Sequence, residues 1–295
     1  MSESASTYDV TIRSAGLRRR RIVQLIFAVL ATLSALAAVA LLGLVIGSVI
    51  VKGASSLSTD FFTQPRGLFG EAGGLADAIV GSLIIVSIAT LIAVPIGVLV
   101  AIFLSEFASK SVAIFVRIVL DVMNGIPAIV VGIFVFGVIV VGRGQSALAG
   151  AFALSILMVP MVARATQEVL ALVPGALREA SLALGVSRWR TVLGVVLPTA
   201  LGGIVTGTVL AVARVAGETA PLLFTSSITA NAINTNVTEA LPTIPVAIFT
   251  YSESPDPAEQ ALAWTSALVL ISFVLVASVL ARALSARSRK KLTGQ

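Results

Sequence analysis

Six apolar runs, near residues 22–51, 78–104, 122–142, 146–170, 195–217 and 260–283, set the limits on what this 295-residue chain can fold into. A helix needs about 20 apolar residues to cross a bilayer, and every run is at least that long. The expected fold is therefore all-α: a polytopic membrane protein with six transmembrane helices. The first run would reach about 45 Å at helical rise, so its ends are expected to project past the hydrocarbon. It is also too long for the core of a cleavable signal, which takes about 7–15 residues, and no cleavage site follows it. Apolar residues make up 57% of the chain and charged residues 12%. That charged share is about half of what soluble domains carry. The mean hydropathy is +1.05.

The net charge of +6 is not a nucleic-acid signal. Basic residues lie at the termini and on connections beside apolar runs, where they set topology. Six crossings place both tails on one side: Arg13 and Arg18 to Arg21 at one end, Arg282, Arg287, Arg289, Lys290 and Lys291 at the other. The same side receives Lys110, Arg117, Arg178, Arg188 and Arg190. The opposite side has Lys52, Arg66 and Arg143, and residues 215–281 contain no basic residue. Both termini are thus expected to be cytoplasmic. The organisation read from this is a basic tail at 1–21, a first helix with its outer loop at 22–77, a transmembrane domain at 78–283 and a basic tail at 284–295. The larger outer connections are 52–77 and 218–259, and residues 110–121 read as an interfacial elbow helix before the third crossing. Pro95, Gly97, Pro127, Gly132, Pro160, Pro198 and Gly207 suit a kinked, closely packed bundle. The glycine pairs Gly43/Gly47 and Gly203/Gly207 read as ordinary helix packing.

The chain has no cysteine and no histidine. Thiol chemistry, disulfides and the commonest neutral-pH acid/base and metal ligand are excluded. No phosphate-cradling G-x-x-x-x-G-K-[ST] loop is present, so any ATP hydrolysis belongs to another chain. No serine or paired-carboxylate constellation suggests an intramembrane enzyme. The expectation is a transport subunit with no cofactor of its own.

Between the fourth and fifth runs lies a polar island, residues 174–190, PGALREASLALGVSRWR. Pro174 suits a helix start and Gly185 a helix end. Leu177, Ala180, Ser181 and Leu184 share one face of that helix, with Arg178 and Glu179 elsewhere. A short exposed helix with a small-residue ridge fits a partner's groove. Glu179-Ala180-Ser181, three residues, Gly185, nine residues and Val195-Val196-Leu197-Pro198 resembles the loop signature of ABC importer permeases, EAA-x3-G-x9-I-x-L-P. Ser181 and Val195 are small departures from it. Arg214 to Phe224, RVAGETAPLLF, is similar to the PstA family of phosphate importer permeases, whose GETAPLLF core separates it from the sister PstC family. Asn124-Gly125-Ile126-Pro127, leading to Gly132-Ile133-Phe134, agrees. The resemblance implies a type I ABC importer bundle over about 78–283, with a cytoplasmic coupling helix at about 174–185. It implies that Leu177, Arg178, Glu179, Ala180, Ser181, Leu184, Gly185 and Arg188 couple to an ATPase. The implied partners are a PstC-like permease, two cytoplasmic PstB-like ATPase subunits that use ATP and magnesium, and an external PstS-like phosphate-binding protein, in a bacterial plasma membrane.

Arg214 is the leading candidate on the substrate path. It lies about 24 Å along a crossing helix from Pro198. An arginine at that depth is costly unless it faces a cavity or a partner, and its planar fork matches phosphate oxygens. An ion pair with Glu218, one turn on, is the structural alternative, and the two roles are compatible. Glu218, Thr219 and Pro221 read as a helix end halted by the proline, with the Thr219 hydroxyl either donating to a passing anion or closing a local bond. Arg117 and Asp121 read as a solvated pair four residues apart, and Arg164 and Glu168 as an anchor at the inner end of the fourth run. Arg188, Trp189 and Arg190 suit the headgroup level, with ATPase contact as a second reading. Asn236-Val237-Thr238 spells a glycosylation sequon without meaning for a bacterial family. The rivals are an importer permease for another oxyanion and a gradient-driven anion carrier. The carrier would call for inverted repeats and intramembrane acids, and would leave the island without a purpose.

Overall fold

The computed structural model describes residues 14–67, 73–227 and 232–293, with side chains described over 19–67, 73–227 and 232–283. Arg13 lies outside the described residues, as do the side chains of Arg18, Arg287, Arg289, Lys290 and Lys291. The chain divides into two compact units, Met1–Val51 and Lys52–Gln295.

The described residues of the first unit belong to helix α1, which runs Ser14–Gly53. Its side chains from residue 19 to 45 are exposed, large aliphatic ones such as Leu33 and Leu44 included. A helix that is apolar all round requires lipid or another protein around it.

The second unit holds the remaining helices. They are α2, Thr59–Thr63; α3, Ala76–Ile102, ending in a π-helical turn Phe103–Phe107; and α4, Lys110–Gly125. Next come α5, Ala128–Val135, with a π-helical turn Phe136–Val140; α6, Ala147–Ala171; and α7, Gly175–Ala183. The chain continues through α8, Arg188–Thr191; a π-helical turn Val192–Val196; and α9, Leu197–Val215. It closes with α10, Ala220–Thr225; α11, Ile244–Ser252; and α12, Pro257–Thr293. Among the described residues, five helical stretches are long and apolar enough to cross a membrane, or six if the bent pair Lys110–Gly125 and Ala128–Val140 counts as one span.

Close packing is written into the sequence of α3. Gly81, Ile85, Ala89, Ala93, Gly97 and Ala101 recur every fourth residue and are all buried. That spacing makes a ridge, and small residues let the facing backbone approach. The ridge meets Ala147, Ala151, Leu154, Met158 and Val162 of α6 in the central core. A methyl group on Gly97 would stand 2.9 Å from Val162 Cβ, closer than carbon atoms pack. Gly203 and Gly207 bring α9 onto α6 in the same way, against Val169 and Ala165. Two further cores cap the ends of α3. Phe61, Leu75, Ala78, Ile244 and Tyr251 meet at its start, and Ala101, Leu170, Val173, Val196 and Ala200 at its finish.

Three expectations shift. The elbow does not stop at Asp121 but runs as α4 to Gly125, and the chain then turns by 93° into Ala128–Val140. The cause is Pro127, which bars its predecessor from helical geometry and leaves Ile126 extended at φ −69°, ψ 127°. The crossing that follows extends about 20 Å, less than the hydrocarbon thickness of about 30 Å. The fifth span begins earlier than 195, since Arg188–Val215 is continuous. Finally, the connection 218–259 carries α10 and α11, whose Leu222 and Val246 enter the central core.

Candidate functional site

The island folds as the helix α7, and its punctuation explains where it stops. Gly185 has φ +78°, where other residues are strained. Its N–H donates to Leu182 O at 2.9 Å, and the Val186 N–H donates to Ser181 O at 3.2 Å. These paired bonds form a Schellman termination, which satisfies the last carbonyls of the helix. Leu177, Glu179, Ala180, Leu184, Gly185 and Arg188 are exposed. Among the described residues, Leu184 is the most open of the large apolar side chains, at 84%. Two members of the expected coupling set turn inward instead. Ser181 is buried, with its hydroxyl 2.9 Å from that of Thr191 on α8. The ridge of Leu177, Ala180 and Leu184 therefore stands without Ser181.

Arg178 is the other. Its Nε and Nη2 donate to Glu106 Oε1 at 3.1 and 2.9 Å, Nη1 to Val173 O at 2.7 Å, and Nη2 also to Leu170 O at 2.9 Å. Glu106, in the π-helical turn that ends α3, is 7% exposed in its side chain. Sequence reasoning passed over it. The signal was a single carboxylate in the last turn of an apolar span, where the negative end of the helix dipole disfavours it. Arg188 packs on the neighbouring residue, its guanidinium carbon 5.7 Å from the centre of the Phe107 ring.

From α8 a continuous helix leads to Arg214. Arg188 to Arg214 is about 39 Å at helical rise, so the island and Arg214 lie at opposite ends of one span. Arg214 is exposed between buried Ala213 and Val215. It has no ion-pair partner among the described residues. The helix ends at Val215, so Glu218 is not one helical turn away and the spacing argument for that pair lapses. Glu218 and Thr219 are half-buried in the link that follows. Pro221 is a correction. It does not halt a helix but occupies the first turn of α10, where its missing N–H costs nothing. A methyl group on Gly132 would lie 2.7 Å from Pro221 Cα, and Phe224 meets Phe136 edge to face at 6.4 Å. The PLLF part of the motif is thus a packing element against α5 and α6. Gln145, also missed, ties it down: its Nε2 donates to Phe224 O, and its Oε1 accepts from the Ser227 N–H at 2.9 Å.

The i, i+4 pairs read from spacing are not the pairs formed. Arg164 on α6 reaches across to Asp121 on α4 and donates to Arg117 O. Asn236 is occupied with its own turn, its Oδ1 accepting from the Thr238 N–H and hydroxyl. Near the start of α3, Arg66 pairs with Glu259 and lies 5.0 Å above the Tyr251 ring. Burial pushes the Tyr251 hydroxyl up to about 12, against the pull of Arg66. A cavity of about 570 Å³ opens between α3, α9, α11 and α12. Its polar lining is limited to Ser82, Ser87 and Thr90, a poor exchange for the hydration shell of an anion. Arg214 is not part of it.

The chain resembles the phosphate transport system permease protein PstA of Yersinia pestis, at 40% identity over 247 residues, 82% of this chain and 83% of that one. The PstA protein of Xylella fastidiosa strain Temecula1 is 37% identical over 276 residues, 92% of this chain and 96% of its own. Among solved structures, the MetNI methionine ABC transporter in an inward-facing form superposes with a TM-score of 0.55 over 72% of this chain and 93% of that one. At 19% identity that likeness speaks for the fold, a type I ABC importer permease bundle. The family model described as "Binding-protein-dependent transport system inner membrane component" matches residues 93–290. This chain belongs to that family, as a multi-pass membrane protein of the ABC importer permeases.

Proposed function

We propose that the chain is the permease subunit of an ATP-driven importer of inorganic phosphate, supplying half of the translocation path. It is a transport subunit rather than an enzyme, and the ATPase is a separate chain. One observation carries the reading. A single continuous helix, Arg188–Val215, starts in the exposed island and carries Arg214, which is exposed, near its end, in a chain similar over 82% of its length to a phosphate transport permease.

In this reading both termini and α7 are cytoplasmic, in a bacterial plasma membrane, with the exposed ridge of α7 seated in a groove of the ATPase. A PstC-like permease completes the path, two PstB-like subunits bind ATP and magnesium, and a PstS-like protein delivers phosphate from outside. Closure of the ATPase pair favours the outward-open conformer, and hydrolysis releases the bundle to the inward-open one. Each step requires ATP to bind one conformer more tightly than the other. Arg214, with Glu218 and Thr219 beside it, meets phosphate at the outer half of the path. A guanidinium suits that task because it stays charged and offers parallel donors to two oxygens. The test is reconstitution of the assembled complex in lipid vesicles with phosphate, sulfate or molybdate outside. ATP-dependent uptake of phosphate alone supports the proposal. Uptake of another oxyanion instead would reassign the substrate, and uptake driven by an ion gradient without ATP would reject the importer.

A further inference from the structure

Few side chains tie α7 inward, and the ties lead to different helices. Ser181 binds Thr191, at the foot of the helix that carries Arg214. Arg178 binds elsewhere, across the carboxyl ends of α3 and α6. We propose that Arg178 is a positioning residue that passes displacement of α7 into α3 by way of Glu106. The inference rests on the importer reading above.

The chemistry of the site favours a dedicated tie over incidental packing. A carboxylate in the last turn of a helix opposes the dipole, so Glu106 does nothing for α3 by itself. Its oxygen receives both Nε and Nη2 of Arg178, a bond pair that fixes direction as well as distance. The same guanidinium donates to Leu170 O and Val173 O, two acceptors at and beyond the end of α6. Leu170 O already accepts from the Val173 N–H at 3.3 Å, so there the guanidinium adds a further donor at the helix end. One planar group therefore clamps α3, α6 and α7 at a single point. Lysine presents a point charge with no planar fork, and cannot hold this set of acceptors in one orientation. Beyond the clamp, α3 runs the length of α6 along its small-residue ridge. A push on α7 thus arrives at the end of a long helix packed for close contact. The clamp borders a cleft of about 240 Å³ that Thr191 and Arg188 of α8 also line.

The experiment uses the complete importer in lipid vesicles and measures phosphate taken up per ATP hydrolysed, together with co-purification of the ATPase. Wild type must first show ATP-driven uptake. Failure there rejects the importer reading and is recognisable as such. Given that control, Arg178→Lys is expected to keep the ATPase bound and hydrolysing while uptake per ATP falls about tenfold. Glu106→Gln keeps an amide oxygen as acceptor and is expected to lose about threefold. A wild-type ratio in both variants overturns the proposal. So does loss of ATPase binding in both, because the tie then serves assembly and not transmission. If only Arg178→Lys fails to assemble, Glu106→Gln decides by the same ratio.

Discussion

Arg214 and Tyr251 show how differently a polar side chain can sit in this fold. Arg214 is exposed near the end of an apolar helix, with no ion-pair partner among the described residues. If it meets phosphate there, Arg214→Gln keeps most of the bulk and loses the charge. Phosphate uptake in reconstituted vesicles is then expected to fall at least about 100-fold, with the ATPase still co-purifying. Uptake within about twofold of wild type would remove Arg214 from the path. Tyr251 is buried, and its folded-state value is pushed up to about 12 from 10.0. The neutral hydroxyl is thus favoured in the folded state. Its contribution is complete below pH 10 and is lost as pH rises from 10 towards about 12, where the unfolded chain ionises first. The loss is about 3 kcal/mol at most. Thermal unfolding in detergent between pH 9 and 12 should fall more steeply for wild type than for Tyr251→Phe. Parallel slopes would contradict this.

At the scale of elements, the island stands out because a backbone signal ends it. With Gly185 at φ +78°, Gly185→Ala should destabilise the carboxyl end of α7 by about 1 kcal/mol. Amide exchange at residues 182–186 would then quicken about fivefold, and an unchanged rate would contradict the assignment. The contact of α10 with α5 is tested by Gly132→Ala. Its new methyl would lie 2.7 Å from Pro221 Cα, so the helices must part, at about 1–3 kcal/mol. A lower melting temperature is expected, and an unchanged one would mean that the two helices do not touch. The crossings and the island helix were legible because apolar length and helix punctuation are local properties. Hydropathy alone puts the bend near 121 rather than at Ile126–Pro127, since α4 carries apolar residues on both sides of that point and hydropathy has no direction. Proline suits the start of a helix as well as the place beyond its end, so the sequence around Pro221 does not separate the two. Glu106 and Asp121 were missed or mispaired for a different reason. Their partners, Arg178 and Arg164, are 72 and 43 residues away, and only the packing of α3, α4 and α6 brings them together.

For the whole molecule, the proposed importer has Arg214 towards the outer side and α7 on the inner side, against a separate ATPase. The span Arg188–Val215 links the two directly, and the Arg178–Glu106 clamp reaches α3. Everything functional depends on α7 being on the ATPase side of the membrane. The chain has no cysteine, and Leu184 on the ridge is 84% exposed, so Leu184→Cys gives one reactive thiol at the position that matters. The most direct measurement treats intact cells and inside-out vesicles with a membrane-impermeant maleimide, then cross-links the same thiol to the assembled complex during ATP turnover. The account predicts labelling in inside-out vesicles only, and a cross-link to the ATPase subunit. Labelling from outside the intact cell, or a complex that turns over with no cross-link to the ATPase, would contradict it.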